Sequence, residues 1–77
     1  MKFKRILKRK VYPTWVSTTK AKKCKVYILY IPSIDCYHYQ IICDNGNTYN
    51  SLDDNNKFDN FKECCLAAEK FIAHTTF

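Results

Sequence analysis

Hydrophobic and polar residues alternate most regularly in residues 37–52, and this pattern predicts a β-hairpin. Every second side chain of the first half is apolar or aromatic, as in a strand with one buried face. The inward set is Tyr37, Tyr39, Ile41 and Cys43, and the outward set is His38, Gln40, Ile42 and Asp44. Asn45-Gly46 predicts a two-residue type I′ turn, because Gly reaches positive φ freely and Asn tolerates it. Residues 48–52 then return as a more polar edge strand, which a turn at residues 53–56 ends.

Two further stretches have the composition of strands. Residues 25–31 form a nearly continuous run of β-branched and aromatic residues that ends before Pro32, so we expect a central strand there. Residues 14–18 are expected to form a shorter strand, with Trp15 as a core anchor. Residues 32–35 are expected to form the turn that leads into the hairpin.

Residues 60–72 show the periodicity of an amphipathic helix. Asn60 and Glu63 have the spacing of a capping box, with Asn in the place of the usual Ser or Thr. The apolar positions recur at intervals of three and four, which predicts one buried stripe. They are Phe61, Cys64, Cys65, Ala68, Phe71 and Ile72. The predicted fold class is therefore α+β, an antiparallel sheet of three to four strands with one C-terminal helix packed on one face.

The N-terminal residues 2–10 are basic and weakly amphipathic, which favours a short helix that ends by Val11, before Pro13. They lack the apolar run of a secretory signal, and no stretch resembles a transmembrane span, so we expect a cytoplasmic protein. In that reducing location the five cysteines are expected to be free thiols, packed as small apolar groups. They are Cys24, Cys36, Cys43, Cys64 and Cys65.

Charge is distributed very unevenly along the chain. The 77 residues are expected to form one domain, in which a basic segment, 1–25, precedes a sheet and helix core, 26–74. Residues 1–25 contain ten cations and no acid, whereas residues 26–77 contain three cations and seven acids. Such a segment attracts phosphate backbones or an acidic protein surface, and its aromatic residues can stack on bases. The predicted binding residues are Lys2, Lys4, Arg5, Lys8, Arg9, Lys10, Lys20, Lys22 and Lys23.

Other chemistry has weaker support in the sequence. A zinc site would combine Cys36 and His38 with Cys64 or Cys65, but the paired spacings of structural zinc sites are absent, and an exposed His38 is the favoured interpretation. No signature places a cysteine nucleophile beside a histidine base, so we expect no enzyme and no cofactor. Residues 53–54 lack the remaining ligands of a calcium loop. A role of residues 2–11 at a membrane surface ranks behind nucleic-acid and protein partners.

Two resemblances arise from the order of these elements. Residues 39–49, followed by the helix with Lys62-Glu63 and residues 66–70, are similar to the second half of a double-stranded RNA-binding domain. The helix of that family begins with a phosphate-binding lysine cluster, whereas this one begins at Asp59-Asn60, so the family is not adopted. The chain also resembles phage-encoded host inhibitors of the anti-CRISPR type. The likeness consists of its size, its Lys-, Asn- and Tyr-rich composition, and an Asn45-Gly46 hairpin followed by a helix start at Phe58-Asp59-Asn60-Phe61.

These observations lead to one functional hypothesis and two alternatives. The first is a non-enzymatic binding protein, a phage-type inhibitor in the host bacterial cytoplasm, that blocks a nucleic-acid-handling protein complex by occupying a surface. The second is a regulator that binds DNA or RNA directly, and the third is a structural module held by zinc. No small-molecule substrate is expected. The oligomeric state, and pairing of strand 48–52 with another chain, are left open by the sequence.

Overall fold

A computed structural model of the chain describes residues 3–6, 13–19 and 23–74. The fold is α+β, with one antiparallel sheet of five strands and one C-terminal helix. The strands lie in the sheet in the order in which they occur in the chain. They are β1 (Lys4–Ile6), β2 (Thr14–Thr19), β3 (Cys24–Ile31), β4 (Cys36–Cys43) and β5 (Thr48–Asn50), and they are followed by a 3-10 helix (Ser51–Asp54) and by α1 (Phe61–His74). The predicted class is confirmed, and the sheet has more strands than the three to four expected.

The central strands β3 and β4 supply most of the buried core. Val26 and Ile28 of β3 and Ile41 of β4 are fully buried, and Tyr39 is nearly so. These side chains share one face, because Val26 pairs with Ile41 and Ile28 pairs with Tyr39 across the two strands. The alternation predicted for β4 is thus confirmed at Tyr39, Ile41 and Cys43, and β3 occupies the predicted central place in the sheet.

The N-terminal segment contains a strand where a helix was predicted. Lys4–Ile6 pairs antiparallel with the first half of β2, which satisfies backbone groups that β2 would otherwise leave unpaired at the sheet edge. An isolated helix of this length is marginal in water, so the pairing is the more stable solution. Phe3 packs edge-on against Phe61, with ring centroids 6.4 Å apart. The prediction of a short N-terminal helix is therefore wrong for residues 4–6, and its remaining residues lie outside the described ranges.

The β4–β5 turn differs in type from the prediction. Its loop has three residues, 44–46, because the Cys43 carbonyl accepts from the Gly46 N–H at 3.0 Å and the Asn47 carbonyl accepts from the Cys43 N–H at 2.9 Å. Gly46 has φ +92°. A type I′ turn would also require a positive φ at Asn45, and Asn45 is not among the described residues with positive φ. The extra residue is accommodated by glycine in the left-handed region, the usual device of three-residue hairpins.

Strand β5 ends at Asn50, two residues earlier than predicted. The Asn50 side chain accepts a hydrogen bond from the Leu52 N–H at 3.0 Å and so caps the 3-10 helix that begins at Ser51. Ser51 is fully buried, and its hydroxyl accepts from the Tyr39 N–H at 3.1 Å. The Ser51 hydroxyl thus accepts from a β4 backbone N–H, that of Tyr39, which has no carbonyl partner on β5 because β5 ends at Asn50.

Helix α1 starts where the capping pattern predicts. The Asn60 side chain accepts from the Glu63 N–H at 2.8 Å, which satisfies one of the free donors of the first turn. Cys64, Ala68 and Ile72 are buried against β3 and β4. Phe71 stacks on Tyr49, with centroids 4.1 Å apart, while Phe61 meets Trp15 edge-on at 4.7 Å. Within the described ranges, no helix is long and apolar enough to cross a bilayer.

Two of the five cysteines form a disulfide, which corrects the prediction of five free thiols. Cys24 begins β3 and Cys43 ends β4, and the strand register places them directly opposite each other with a Cα separation of 4.0 Å. The Asp44 N–H donates to the Lys23 carbonyl just beyond them, so the pair is of the close, non-hydrogen-bonded kind. Cys36, Cys64 and Cys65 are free thiols, of which the first two are buried as predicted.

Candidate binding surface on the open face of the sheet

The strand register divides the side chains between two faces of the sheet. Helix α1 covers the face that carries Trp15, Val26, Ile28 and Ile41. Their neighbours along each strand point to the other side, because successive side chains of a strand alternate. The opposite side therefore carries a second set of residues. Thr14, Cys36 and His38 of this set are buried, and the candidate binding surface is formed by residues of the set that are not.

This second set is ordered in rows that run across the strands. One row crosses all five strands, and its members are Lys4, Val16, Tyr27, Gln40 and Asn50. The next row crosses four strands, and its members are Thr18, Lys25, Ile42 and Thr48. Five of the nine side chains are exposed and four are half-buried. We call these nine residues the open face.

The open face is both apolar and cationic. Lys4 and Lys25 both lie near Tyr27, the first in its row but two strands away and the second two residues before it on β3. Ile42 is 45% exposed, which makes it one of the few large apolar side chains in the described ranges that face solvent. None of the five described strands contains Asp or Glu. The seven acids of the chain lie in the turns, in the 3-10 helix and in or just before α1: Asp35, Asp44, Asp53, Asp54, Asp59, Glu63 and Glu69.

A shallow groove lies at the β4–β5 side of the open face. It has a volume of about 230 Å³, and residues of both strands line it. Gln40, Thr48 and Asn50 give it hydrogen-bonding groups, and Ile42 gives it an apolar wall. Asp53 stands at its end as the one acidic residue of the lining.

The described members of the predicted binding set do not form one patch. Lys4 belongs to the open face, but Arg5 points to the helix side, where its guanidinium carbon lies 5.1 Å from the centre of the Trp15 ring. Lys23 is exposed in the turn before β3, roughly 13 Å along the strand direction from the Tyr27 row. The remaining six predicted residues, Lys2, Lys8, Arg9, Lys10, Lys20 and Lys22, lie outside the described ranges.

The pairing of Lys25 with Tyr27 on one face was not predicted from the sequence. Lys25 was predicted to begin the strand and was not included in the predicted binding set, whereas it points to the open face from the second position of β3. Alternation along residues 25–31 is a signal that puts Lys25 and Tyr27 on one side of a strand. The strand's nearly continuous hydrophobicity hid that signal, because it indicated only a central strand covered on at least one face.

His38 is buried, which corrects the prediction of an exposed ring. Its side chain is only 4% exposed, and its Nδ1 lies 3.2 Å from the Asn50 side-chain oxygen. That oxygen already accepts from the Leu52 N–H, so the imidazole is the donor and carries its proton on Nδ1. Burial lowers the pKa of His38 below its usual value, an effect that outweighs the hydrogen bond to Asn50. The ring is therefore neutral in the folded protein near pH 7.

A pH dependence of stability follows from this neutral imidazole. Since the folded pKa of His38 lies below the unfolded value of about 6.5, the unfolded chain takes up the proton first as the pH falls. The contribution to stability is complete above about pH 6.5 and is lost as the pH falls towards the folded pKa. We expect His38→Gln, whose amide can still donate to Asn50, to lose less stability than the wild type between pH 7.5 and about pH 5.

Urea denaturation at a series of pH values measures this difference. His74→Gln is the matched control, because it removes the other imidazole of the chain at an exposed position near the end of α1. Equal pH dependence in wild type and His38→Gln would show that His38 is not the group responsible.

The cysteines of α1 are separated from His38 by the sheet. Cys36 and His38 point to the side opposite α1, while Cys64 is buried beneath the helix. Among the described residues there is no group of three His, Cys, Asp or Glu side chains that could hold a metal ion. Burial raises the pKa of Cys64 to about 12 and that of Cys65 to about 11, so both thiols remain protonated near neutral pH. The open face thus offers binding groups, and neither helix cysteine is activated as a nucleophile.

Compared with protein-family models, with curated proteins and with solved structures, the chain gives no match.

Proposed function

We propose that this chain is a small non-enzymatic protein that binds nucleic acid through its cation-rich N-terminal third. The observation that carries the proposal is the separation of charge, with ten cations and no acid in residues 1–25. The acid-free strands extend this separation into the folded domain, because no carboxylate of the sheet opposes an approaching phosphate. Neutralising phosphates releases condensed counterions, which is the main source of affinity for such a surface.

A protein-directed inhibitor is the second candidate. The same positive charge complements an acidic protein surface, and the exposed Ile42 beside Lys25 gives the open face the mixed character of a protein interface. The resemblance to phage-encoded inhibitors implies this role. Its mechanism would be occupation of a surface on a nucleic-acid-handling complex, with no reaction and no cofactor.

Replacing a compact group of N-terminal cations is expected to weaken nucleic-acid binding. We choose the triple variant Lys8→Ser, Arg9→Ser, Lys10→Ser, and expect the slope of log affinity against log salt to fall by up to about 2 for a single strand. The control is Lys57→Ser, Lys62→Ser, Lys70→Ser, which removes the same charge from three exposed positions in the acidic half of the chain. Fluorescence anisotropy with a labelled oligonucleotide at several salt concentrations measures both.

Two outcomes would contradict the proposal. Equal weakening by the two triple variants would mean that net charge alone, and not the N-terminal third, attracts the oligonucleotide. No binding at 50 mM salt would exclude the nucleic-acid form. In that case, capture from bacterial lysate of one defined protein complex that survives nuclease treatment would support the inhibitor.

A further inference from the structure

The open face presents one aromatic ring near two cations, one across the strands from it and one along its own strand, with polar groups beside them. Tyr27 lies in the middle strand of the five, and its cross-strand neighbours are Val16 and Gln40. Adjacent strands are about 4.8 Å apart, so Lys4, two strands away, is about 10 Å from Tyr27. Lys25 is two residues away on the same strand, or about 7 Å. The long lysine side chains can therefore reach two edges of a ligand that lies over the tyrosine ring, one towards β1 and one towards the start of β3.

We propose that the open face binds single-stranded nucleic acid, with one base stacked on Tyr27 and neighbouring phosphates contacted by Lys4 and Lys25. This inference rests on the proposed function and assigns it a surface and a class of ligand. Flat aromatic rings flanked by cations are the recurring design of single-strand binding sites, because every base has a face that can stack.

Charge and shape both favour this occupant over a duplex. The described strands contain no carboxylate, so the face complements a polyanion from β1 to β3, and Asp53 stands only at the groove on the β5 side. A duplex buries its base faces and presents only groove edges and backbone, and neither described helix lies on the open face, where it could enter a groove. A single strand can turn one base onto the tyrosine while its backbone stays near the lysines.

The polar residues beside Tyr27 set the selectivity that we expect. Gln40 lies next to it in the same row, and Asn50 follows on β5, at the rim of the groove. The Gln40 amide can donate to and accept from base edges, and the Asn50 amide can donate through its NH2 group, because its oxygen already accepts from Leu52 and His38. Since stacking tolerates every base and two amides read few positions, affinity should depend much more on strandedness than on sequence.

The test compares side-chain variants of Tyr27 with single- and double-stranded probes. Tyr27→Val keeps a strand-favouring residue but removes the ring, and is expected to weaken binding of a 20-nucleotide oligothymidine about tenfold. Tyr27→Phe keeps the ring and should stay within about twofold of wild type. Lys25→Ser should lower the salt slope by about 0.7, the value for one phosphate contact on a single strand. A duplex of the same length should bind more weakly than the single strand.

The outcomes separate failure of this site from failure of the proposed function. If Tyr27→Val binds like wild type while the N-terminal triple variant is impaired, nucleic acid binds elsewhere and the open-face site is wrong. If the duplex binds at least as tightly as the single strand, the stacking role is wrong. If sedimentation shows a dimer that Ile42→Lys dissociates, the open face is an interface between copies of this chain. If an acidic protein binds to the face and no oligonucleotide does, the face is an interface for that protein. Circular dichroism and thermal unfolding of each variant show that it is folded.

Discussion

Replacing Ile41 with alanine is expected to lower the free energy of unfolding by about 2–5 kcal/mol. Ile41 is fully buried in the central part of β4, with Val26 and Tyr49 as its cross-strand partners. Removing three carbons there takes apolar surface out of the core and leaves a cavity that the sheet cannot close. The free energy of unfolding of a small domain is about 5–15 kcal/mol, so this loss is a large share of its stability.

Urea denaturation followed by the fluorescence of Trp15, the one tryptophan of the chain, measures the change. Ile42→Ala is the matched control, because Ile42 is the next residue of the same strand but is 45% exposed. The control should lose no more than about 1 kcal/mol, mainly through lower strand propensity. Equal losses at the two positions would contradict the division of β4 between a buried and an open face.

Removing the Cys24–Cys43 disulfide is expected to destabilise the fold by about 3 kcal/mol. The two cysteines are 19 residues apart, and the cross-link restricts the unfolded chain by closing this loop. We expect the double variant Cys24→Ala, Cys43→Ala to unfold at lower urea concentration than wild type under non-reducing conditions. Adding a reductant should bring the wild type close to the variant, while the variant itself should not respond.

Counting thiols checks the cross-link independently. Under denaturing, non-reducing conditions the chain should show three reactive thiols, those of Cys36, Cys64 and Cys65. Five would mean that all the cysteines are reduced, as the sequence analysis predicted. Disulfides persist mainly in oxidising compartments, so the predicted cytoplasmic location requires a fold that tolerates the loss of this link.

The elements with strong local signals were predictable from the sequence. Helix α1 has both a capping residue, Asn60, and a complete apolar stripe, and its start was predicted to the residue. Strands β3 and β4 are long enough for their composition and alternation to be recognised. Strand β1 was not predictable in this way, because three residues show no periodicity and the strand exists only through its pairing with β2.

The features that depend on register could not be derived from local patterns. The disulfide forms because β3 and β4 align so that Cys24 faces Cys43, and a shift of one residue would separate them. His38 was predicted to be exposed because it belongs to the outward set of β4. It is buried, and its ring is hydrogen-bonded to Asn50 of β5. This contact depends on the β4–β5 loop, because a loop of another length would move Asn50 away from His38. The open face has the same origin, because its rows combine residues from five strands.

The charge of a segment alone does not predict which of its residues share a surface. A run of lysines reveals how much charge a segment carries, but Lys4 and its neighbour Arg5 point to opposite sides of the sheet. Only the strand assignment separates them. The open face thus depends on two lysines from different strands and on Tyr27, a residue that charge counting does not consider.

The order of the strands has a consequence for how the domain folds. Each strand pairs with the strand that precedes or follows it in the chain, so the sheet can grow by the addition of successive hairpins. Short loops cost little closure entropy, and a topology with mainly local contacts folds faster than one with distant strand pairing. The β3–β4 hairpin contains both disulfide cysteines, so it can bring them together before α1 docks on the finished sheet.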